Sequence, residues 1–523
     1  MASAQGDPPA ARWPVGAAIG VLSGGVAIGT ATLAAGVIGT GTAPVLAVGA
    51  AAVDASPEGL KRFAIDTFGT DDKTALLLGI GIVLTVAAIV LGIVSLRRPR
   101  AAVIGLIALG TIGAVAAVTR PANGFLAAVP SVAGAAAGLW AYVWLRGRAG
   151  LPPVVGRPDT ETQPAMPAGL DRRRFLFGGM VVAGLALAPG FVGEYLVRRS
   201  EASASRSAVR LPSVADTGRA TPAAADLQVP GELPFITPND AFYRVDTALF
   251  VPAVQTDGWT LTVHGMVDTP QTLDFEQLTS RPLIERDVTL CCVSNEVGGH
   301  YIGNARWTGT LLAPLLQEAG IQPGVTQLVS RSTDGFTTGT PASVALDGRD
   351  AMLVVAMNGE PLPLQHGFPV RMVIPGLYGY ESACKWITDI EATTYEAYSA
   401  YWVERGWAEQ VLIKTESRID VPKRGASLPA GPVTVAGIAW AQHRGISKVE
   451  VRIDAGPWAR ATLGAQDTVD TWRQWRYAWQ APVGSHTITV RATDGDGVVQ
   501  TSAVAPPFPS GATGLHQIDV TVT

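Results

Sequence analysis

Thr289-Leu290-Cys291-Cys292-Val293-Ser294-Asn295-Glu296-Val297-Gly298-Gly299 begins as a strand and ends as a loop. Its first residues are β-branched or apolar, and its last are the polar and glycine residues that turn a chain. Strand side chains alternate faces, so the adjacent Cys291 and Cys292 point in opposite directions. The 523 residues hold only three cysteines, Cys291, Cys292 and Cys384. That is too few for a disulfide framework, and sequence neighbours rarely bridge each other. Any task the thiols have is local. The loop is followed by Gly303-Asn304-Ala305-Arg306-Trp307-Thr308-Gly309, and further on by Met357-Asn358-Gly359-Glu360-Pro361-Leu362-Pro363-Leu364-Gln365-His366-Gly367-Phe368-Pro369-Val370-Arg371, then Val373-Ile374-Pro375-Gly376 and Lys385-Trp386.

These runs resemble, in the same order, the molybdopterin-binding domain of the sulfite oxidase family: Leu-x-Cys-x-x-Asn, Asn/Ala-x-Trp-x-Gly, Asn-Gly-x-Pro-Leu-Pro, His-Gly-x-Pro-x-Arg, Val-x-Pro-Gly and Lys-Trp. One short pattern arises by chance easily, whereas the ordered set is specific. The resemblance runs from about Thr237 to the C-terminus. It implies a molybdenum-molybdopterin cofactor whose metal takes Cys292 as thiolate ligand, a soft donor suited to a metal that changes oxidation state. Cys291 and Cys384 are expected to be core residues.

The same resemblance implies the rest of the site. Asn295 belongs to the cysteine pattern. His366, Arg371 and Lys385 would grip the cofactor's phosphate and pterin. Ser382 and Asp334 are further cofactor candidates, although the segment between Gly379 and Lys385 is one residue longer than the family pattern, and the Asp334-Gly335 pair is also a plain turn signal. Arg244, in Phe242-Tyr243-Arg244, matches an aromatic-x-Arg run whose arginine reaches the metal; an ordinary surface arginine is the competing reading. Arg444 follows a Gly-x-Ala-Trp turn, Gly437 to Trp440, whose later arginine lines the anion pocket. Trp407 stands where sulfite oxidases place a tyrosine near the metal, which leaves the reaction's direction open.

Outward from this body, the composition divides the chain. It is 48% hydrophobic, and its charges between Trp13 and Arg148 gather in short loops. A bilayer core needs about 20 apolar residues per helix. Thr74 to Leu96, Ala101 to Val118 and Phe125 to Leu145 fit that length. Val15 to Val53 is either one span with an interfacial extension or two spans broken near Gly41, Thr42 and Pro44. Arg97, Arg98 and Arg100 fill one loop and Arg146, Arg148 and Arg172 to Arg174 another, while acidic residues fill Asp54 to Lys73. The positive-inside rule puts the arginine loops in the cytoplasm, and that parity favours one span before Asp54. A fifth apolar stretch, Phe175 to Val197, follows Asp171-Arg172-Arg173-Arg174-Phe175-Leu176, which resembles a twin-arginine export signal; a stop-transfer helix is the alternative. Residues 200–231, rich in Ala, Ser, Thr and Pro, read as a flexible linker.

Gly431 to Thr523 reads as short strands at regular spacing, Val433 to Ile438, Lys448 to Ile453, Trp472 to Trp479, His486 to Ala492 and Ile518 to Val522, which predicts an immunoglobulin-like sandwich. The expected architecture is therefore multi-domain. N-terminal transmembrane α-helices (1–150) lead to a loop and fifth helix (151–199) and the linker. An α+β sulfite-oxidase-type molybdopterin domain (232–412) and an immunoglobulin-like β-sandwich (413–523) follow, and in the family such a sandwich often mediates homodimerisation.

Several partners are excluded or implied. A net charge of −4 without a basic cluster outside the membrane flanks argues against nucleic acid. No histidine precedes His264, so these helices offer no paired imidazoles for a haem, and none is expected in this chain. Electrons must then pass to or from a separate protein such as a cytochrome or haem subunit. The expected function is oxygen-atom transfer on a small oxyanion by a membrane-anchored, extracytoplasmic enzyme. The alternatives are a methionine sulfoxide reductase on the same fold and a cofactor-free adhesion or scaffold protein.

Overall fold

The computed structural model of the chain describes residues 13–38, 42–57, 72–120, 124–152 and 201–523 apart from 249–250, with 63, 67, 154 and 199 as isolated positions. It falls into two units, Met1–Ser200 and Glu201–Thr523. The stretch Phe175 to Val197 and the arginine motif before it lie outside the described residues.

The first unit contains α1 (Trp13–Ile38), α2 (Pro44–Ala55), α3 (Asp72–Ser95), α4 (Pro99–Val118) and α5 (Val129–Arg148). Four helical stretches, Trp13–Gly36, Ala75–Ser95, Pro99–Val118 and Phe125–Arg148, are long and apolar enough to cross a membrane. The long run Val15 to Val53 breaks at Pro44, whose missing N–H is tolerated in a helix's first turn. The 12 residues of α2 span only about 18 Å, so the run yields one crossing-length helix and one short one. Small residues let the helices approach. A Cβ on Gly20 would lie 1.9 Å from the Ala88 carbonyl oxygen, so α1 and α3 touch backbone to backbone. Arg146, buried in the last turn of α5, donates to the carbonyls of Ser95 and Pro152 at 2.8 Å each and ties that end of the bundle together.

The second unit opens with residues that composition assigns to a flexible linker, and here the expectation is corrected. Residues 201–208 are helical, and Arg206 donates to the carbonyls of Pro361 and Leu362. The Ala215 N–H donates to the Leu283 carbonyl and the Glu285 N–H to that of Asp216, while the Thr221 hydroxyl donates to Asp287 at 2.6 Å. The segment is a strap laid along a strand edge. Local composition reports that the strap lacks a periodic apolar face, but not that an edge elsewhere offers unpaired backbone groups to it.

The α+β domain has two sheets. Its strands are β1 (Thr260–Gly265), β2 (Gln271–Asp274), β3 (Leu283–Cys291), β4 (Ile302–Leu311) and β5 (Gln327–Ser332), then β6 (Thr337–Pro341), β7 (Met352–Met357), β8 (Glu360–Pro361), β9 (Arg371–Val373) and β10 (Ile387–Thr393). One sheet runs β2-β1-β10-β5-β6, the other β3-β4-β7-β8 with β9 on β7. The short helix α6 (Phe275–Thr279) is entered through a capping box in which Asp274 accepts from the Gln277 N–H. With α7 (Leu312–Ala319) it covers a core that includes Leu261, Leu316, Leu353 and Ile390. The short α8 (Ala342–Ala345) and α9 (Gly379–Ser382) complete the domain.

The sandwich pairs a sheet β11 (Glu416–Val421), β13 (Gly431–Trp440), β17 (Arg473–Ala481), β16 (Thr462–Leu463) with a sheet β12 (Ser427–Leu428), β19 (Gln517–Val522), β18 (Gly484–Asp494), β14 (Ile446–Ile453), β15 (Ala459–Arg460). All five expected strands are present. Trp472, Trp475 and Trp479 are buried and pack the sandwich. The sandwich also reaches β3: the Trp472 N–H donates to the Thr289 hydroxyl at 2.8 Å, and the Gln442 amide to the Thr289 carbonyl at 3.1 Å. These bonds hold β3 three residues before Cys292.

Candidate active site

Cys292 is the first residue past β3. Its N–H donates to the Tyr301 carbonyl, and its own carbonyl accepts from the Asn295 N–H, both at 3.0 Å, so the chain leaves the strand in a closed loop. Cys291 points into a core with Tyr378, Trp407 and Trp440, and Cys384 into that of the α+β domain. Cys292 as a residue is only partly buried, and its sulfur lies 3.0 Å from the Ser294 hydroxyl. Burial pushes its thiol pKa up, opposed by the Ser294 hydrogen bond and by the charge of Lys385. Asn295 is buried; its Oδ1 accepts from the Tyr301 N–H at 2.8 Å and its Nδ2 has no partner among the described residues.

The cations come from the run His366 to Trp386. Arg371 opens β9 and bridges backbone to backbone with Lys385. Gly367 is wedged between them: φ is +111°, and a Cβ there would lie 3.0 Å from that of Arg371 and 3.2 Å from that of Lys385. Only glycine fits. Arg371 stacks over Trp307 at 4.9 Å and donates to the His366 carbonyl at 3.1 Å, leaving its buried Nε without a partner. Burial lowers its pKa to about 10. Lys385 donates to the Val245 carbonyl and to Asp246, each at 3.1 Å. Burial brings it down to about 8, with Asp246 opposing and Arg371 adding to the fall.

The sequence-predicted residues divide accordingly. The structure brings together Cys292, Asn295, His366, Arg371, Lys385 and, through Asp246, Arg244. Arg244 pairs with Asp246 at 3.0 Å and keeps 37% of its side chain exposed, so it is the accessible cation of the group. His366 donates through Nε2 to the Asn239 carbonyl at 2.9 Å. Since a carbonyl only accepts, Nε2 carries the proton. Burial, then the nearby Arg371, depress its pKa to about 4 and keep the ring neutral. Asp334 caps its own turn by accepting from the Phe336 N–H at 3.1 Å, and its charge acts on Lys385.

Three candidates stand apart. The Ser382 hydroxyl is spent on the Leu377 and Tyr378 carbonyls at 3.2 and 3.0 Å. Trp407 is buried among Tyr380, Trp402 and Phe508, a packing role. Arg444 is held by Asp494 at 3.1 Å and by the Ile413 carbonyl at 2.8 Å, and no contact among the described residues joins it to Cys292.

Two groups escaped the sequence reading. Tyr243 is packed beside the thiols, and burial with the adjacent Cys292 and Cys291 pushes its phenol up. Asp246 balances Arg244 and Lys385; the alternation Arg244-Val245-Asp246 was the available signal. The cluster as a whole carries more cationic than anionic groups, with a buried guanidinium edge and an Asn295 amide left unpaired. Such donors suit a phosphate and a polar heterocycle, and the Cys292 thiol beside them suits a soft metal. The residues fit a molybdopterin.

Comparison with known proteins agrees. Residues 248–402 match the family described as oxidoreductase molybdopterin binding domain, and 416–490 the bacterial Ig domain. The chain is 31% identical to human mitochondrial sulfite oxidase over 321 residues, 52% of this chain and 58% of that protein. It is 30% identical to chicken sulfite oxidase over 323 residues, 52% of this chain and 69% of that protein. The chain belongs to the sulfite oxidase family. A further relative, the uncharacterized oxidoreductase YuiH of Bacillus subtilis (strain 168), is 34% identical over 149 residues, 28% of this chain and 72% of that protein. The chain spans 58% of the length of the human relative. Its α+β domain is the family's molybdopterin-binding oxidoreductase domain, and its C-terminal sandwich is the Ig-like domain.

Proposed function

We propose that the chain is a membrane-anchored oxidoreductase that oxidises a small sulfur oxyanion of the sulfite class at a molybdenum centre ligated by Cys292. The observation that carries this reading is the gathering of the Cys292 thiol with Lys385, Tyr243 and the buried Arg371. When bound, the molybdenum cofactor supplies two-electron oxygen-atom transfer. Arg371, with its unpaired Nε, and Lys385 hold its anionic and polar groups, and Gly367 keeps the two stems close. His366 stays neutral near pH 7, so it donates a hydrogen bond without adding charge. Arg244, half pointed to solvent and held by Asp246, draws the oxyanion in and orients it. The α1 to α5 bundle is the anchor, its arginine loops lie in the cytoplasm, and the apolar stretch Phe175 to Val197 takes the chain across once more, so that Glu201–Thr523 works on the far side.

Purified full-length protein from a host that makes molybdopterin tests this. Sulfite is expected to bleach the oxidised centre stoichiometrically, and methionine sulfoxide is expected not to reoxidise the reduced one. The opposite pattern would make the chain a sulfoxide reductase, and molybdenum absent from well-folded protein would make it no enzyme of this kind.

A further inference from the structure

The five-helix bundle encloses a cavity of about 170 Å³ walled by all five helices. Its lining is apolar and, among the described residues, carries no charged side chain; Gly24, Ala27, Val48, Leu84 and Gly110 are typical. Four hydroxyls interrupt it: Thr32 and Tyr142 donate theirs to the Ile28 and Pro99 carbonyls, whereas Ser23 on α1 and Ser131 on α5, each 2% exposed, have no hydrogen-bond partner among the described residues. Serine and threonine in an apolar helix ordinarily bond back to a carbonyl of the preceding turn. In this bundle Thr32, Thr85, Ser95 and Thr111 do so. Ser23 and Ser131 do not, and a buried hydroxyl left unpaired costs about 1–3 kcal/mol.

We propose that this cavity binds the head group of a quinone. A space of roughly 150 Å³ takes one aromatic ring. The two unpaired hydroxyls stand at different levels: a Cβ on Gly138 would lie 3.2 Å from the Ser23 carbonyl, which sets Ser23 level with Gly138, seven residues beyond Ser131 and about 10 Å along α5. A ring with an acceptor oxygen at each of two opposite ends, each taking one hydrogen bond, bridges such a separation. The cavity opens sideways past Ile28, Leu109 and Ile112, which are 41%, 37% and 54% exposed, so its ligand arrives from the hydrocarbon of the membrane. A phosphate head group would need a cation that the lining lacks among the described residues, and an acyl chain would leave the Ser23 and Ser131 hydroxyls unpaired.

The test uses the full chain in lipid nanodiscs and the short naphthoquinone menadione, followed by quenching of tryptophan fluorescence against empty nanodiscs. Saturable one-to-one binding is expected, weakened about tenfold in Ser23→Ala/Ser131→Ala. In the unaltered chain 2-methylnaphthalene, which has the ring without the oxygens, is expected not to displace menadione. Cys292→Ser is expected to bind menadione normally, which separates this site from the proposed molybdenum centre. Displacement by 2-methylnaphthalene, displacement by decanol, or equal affinity in the double variant would overturn the proposal.

Discussion

Arg418, on the first strand of the sandwich, donates through Nη1 to the carbonyl of Gly299 in the Cys292 loop at 2.7 Å. Beside it, His516 of β18's neighbouring loop lies under Gly298, whose φ of +79° and lack of a Cβ let the two touch; a Cβ would sit 2.3 Å from the imidazole. The His516 Nδ1 accepts from the Ile419 N–H at 3.0 Å, which fixes the ring. The Ig-like domain therefore shapes the cysteine loop of the domain before it.

Gly298→Ala is expected to cost about 1–3 kcal/mol from the left-handed backbone alone, with more from the clash on His516. The checks are a denaturant midpoint and the rate at which Cys292 in cofactor-free protein reacts with a thiol reagent. The alanine variant is expected to react faster, because the loop no longer closes on its support.

Arg418 is 4% exposed and forks onto Asp420, which is 6% exposed. Removing one member of a buried pair strands the other, at a cost of about 3–5 kcal/mol. Arg418→Met is expected to lower stability by that order in a urea titration, whereas Arg418→Met/Asp420→Leu is expected to recover most of the loss.

Asp467 and Asp287 meet where the sandwich meets β3. Burial, then the neighbouring Asp287, raises Asp467 to about 7, while Arg306 and Thr221 hold Asp287 low. A carboxyl whose folded pKa lies above its unfolded value stabilises below the unfolded pKa, near 4, and that contribution is lost as pH rises through about 7. Thermal midpoints are thus expected to fall between pH 4 and 7 for this group's share, and Asp467→Asn is expected to flatten that slope. An unchanged slope in the variant would show that other groups set it.

The strap is expected to resist exchange as a folded element. Backbone amides of Ala215 and Glu285 bond across it, so hydrogen exchange there is expected to be slowed well beyond that of a free chain, and Arg206→Ala is expected to loosen the N-terminal part first.

Much of this was legible because the cofactor residues sit in short runs. Cys292, His366, Arg371 and Lys385 each lie within a few residues of glycines and prolines that shape their loops, and those patterns survive in sequence. Trp407 and Arg444 were read from position along a pattern, without the packing that commits one to Tyr380 and the other to Asp494. Arg418 and His516 could not be found so: each reaches the loop across more than a hundred residues of chain, with no local motif. The strap failed for a similar reason, since its partners are the backbone of β3 and the 360–362 turn. Helices of crossing length were the easiest reading, because twenty apolar residues need no partner to be recognised.

The proposed ligand of the metal is Cys292 and not Cys291. The most direct measurement is the absorption and Mo(V) electron paramagnetic resonance of the full chain beside its Cys292→Ser and Cys291→Ser variants, with molybdenum content determined on the same samples. Cys291→Ser is expected to keep the signature and most turnover, and Cys292→Ser to lose the thiolate absorption, alter the resonance and abolish turnover. Equal loss in both variants, or an unchanged signature in Cys292→Ser, would contradict the assignment.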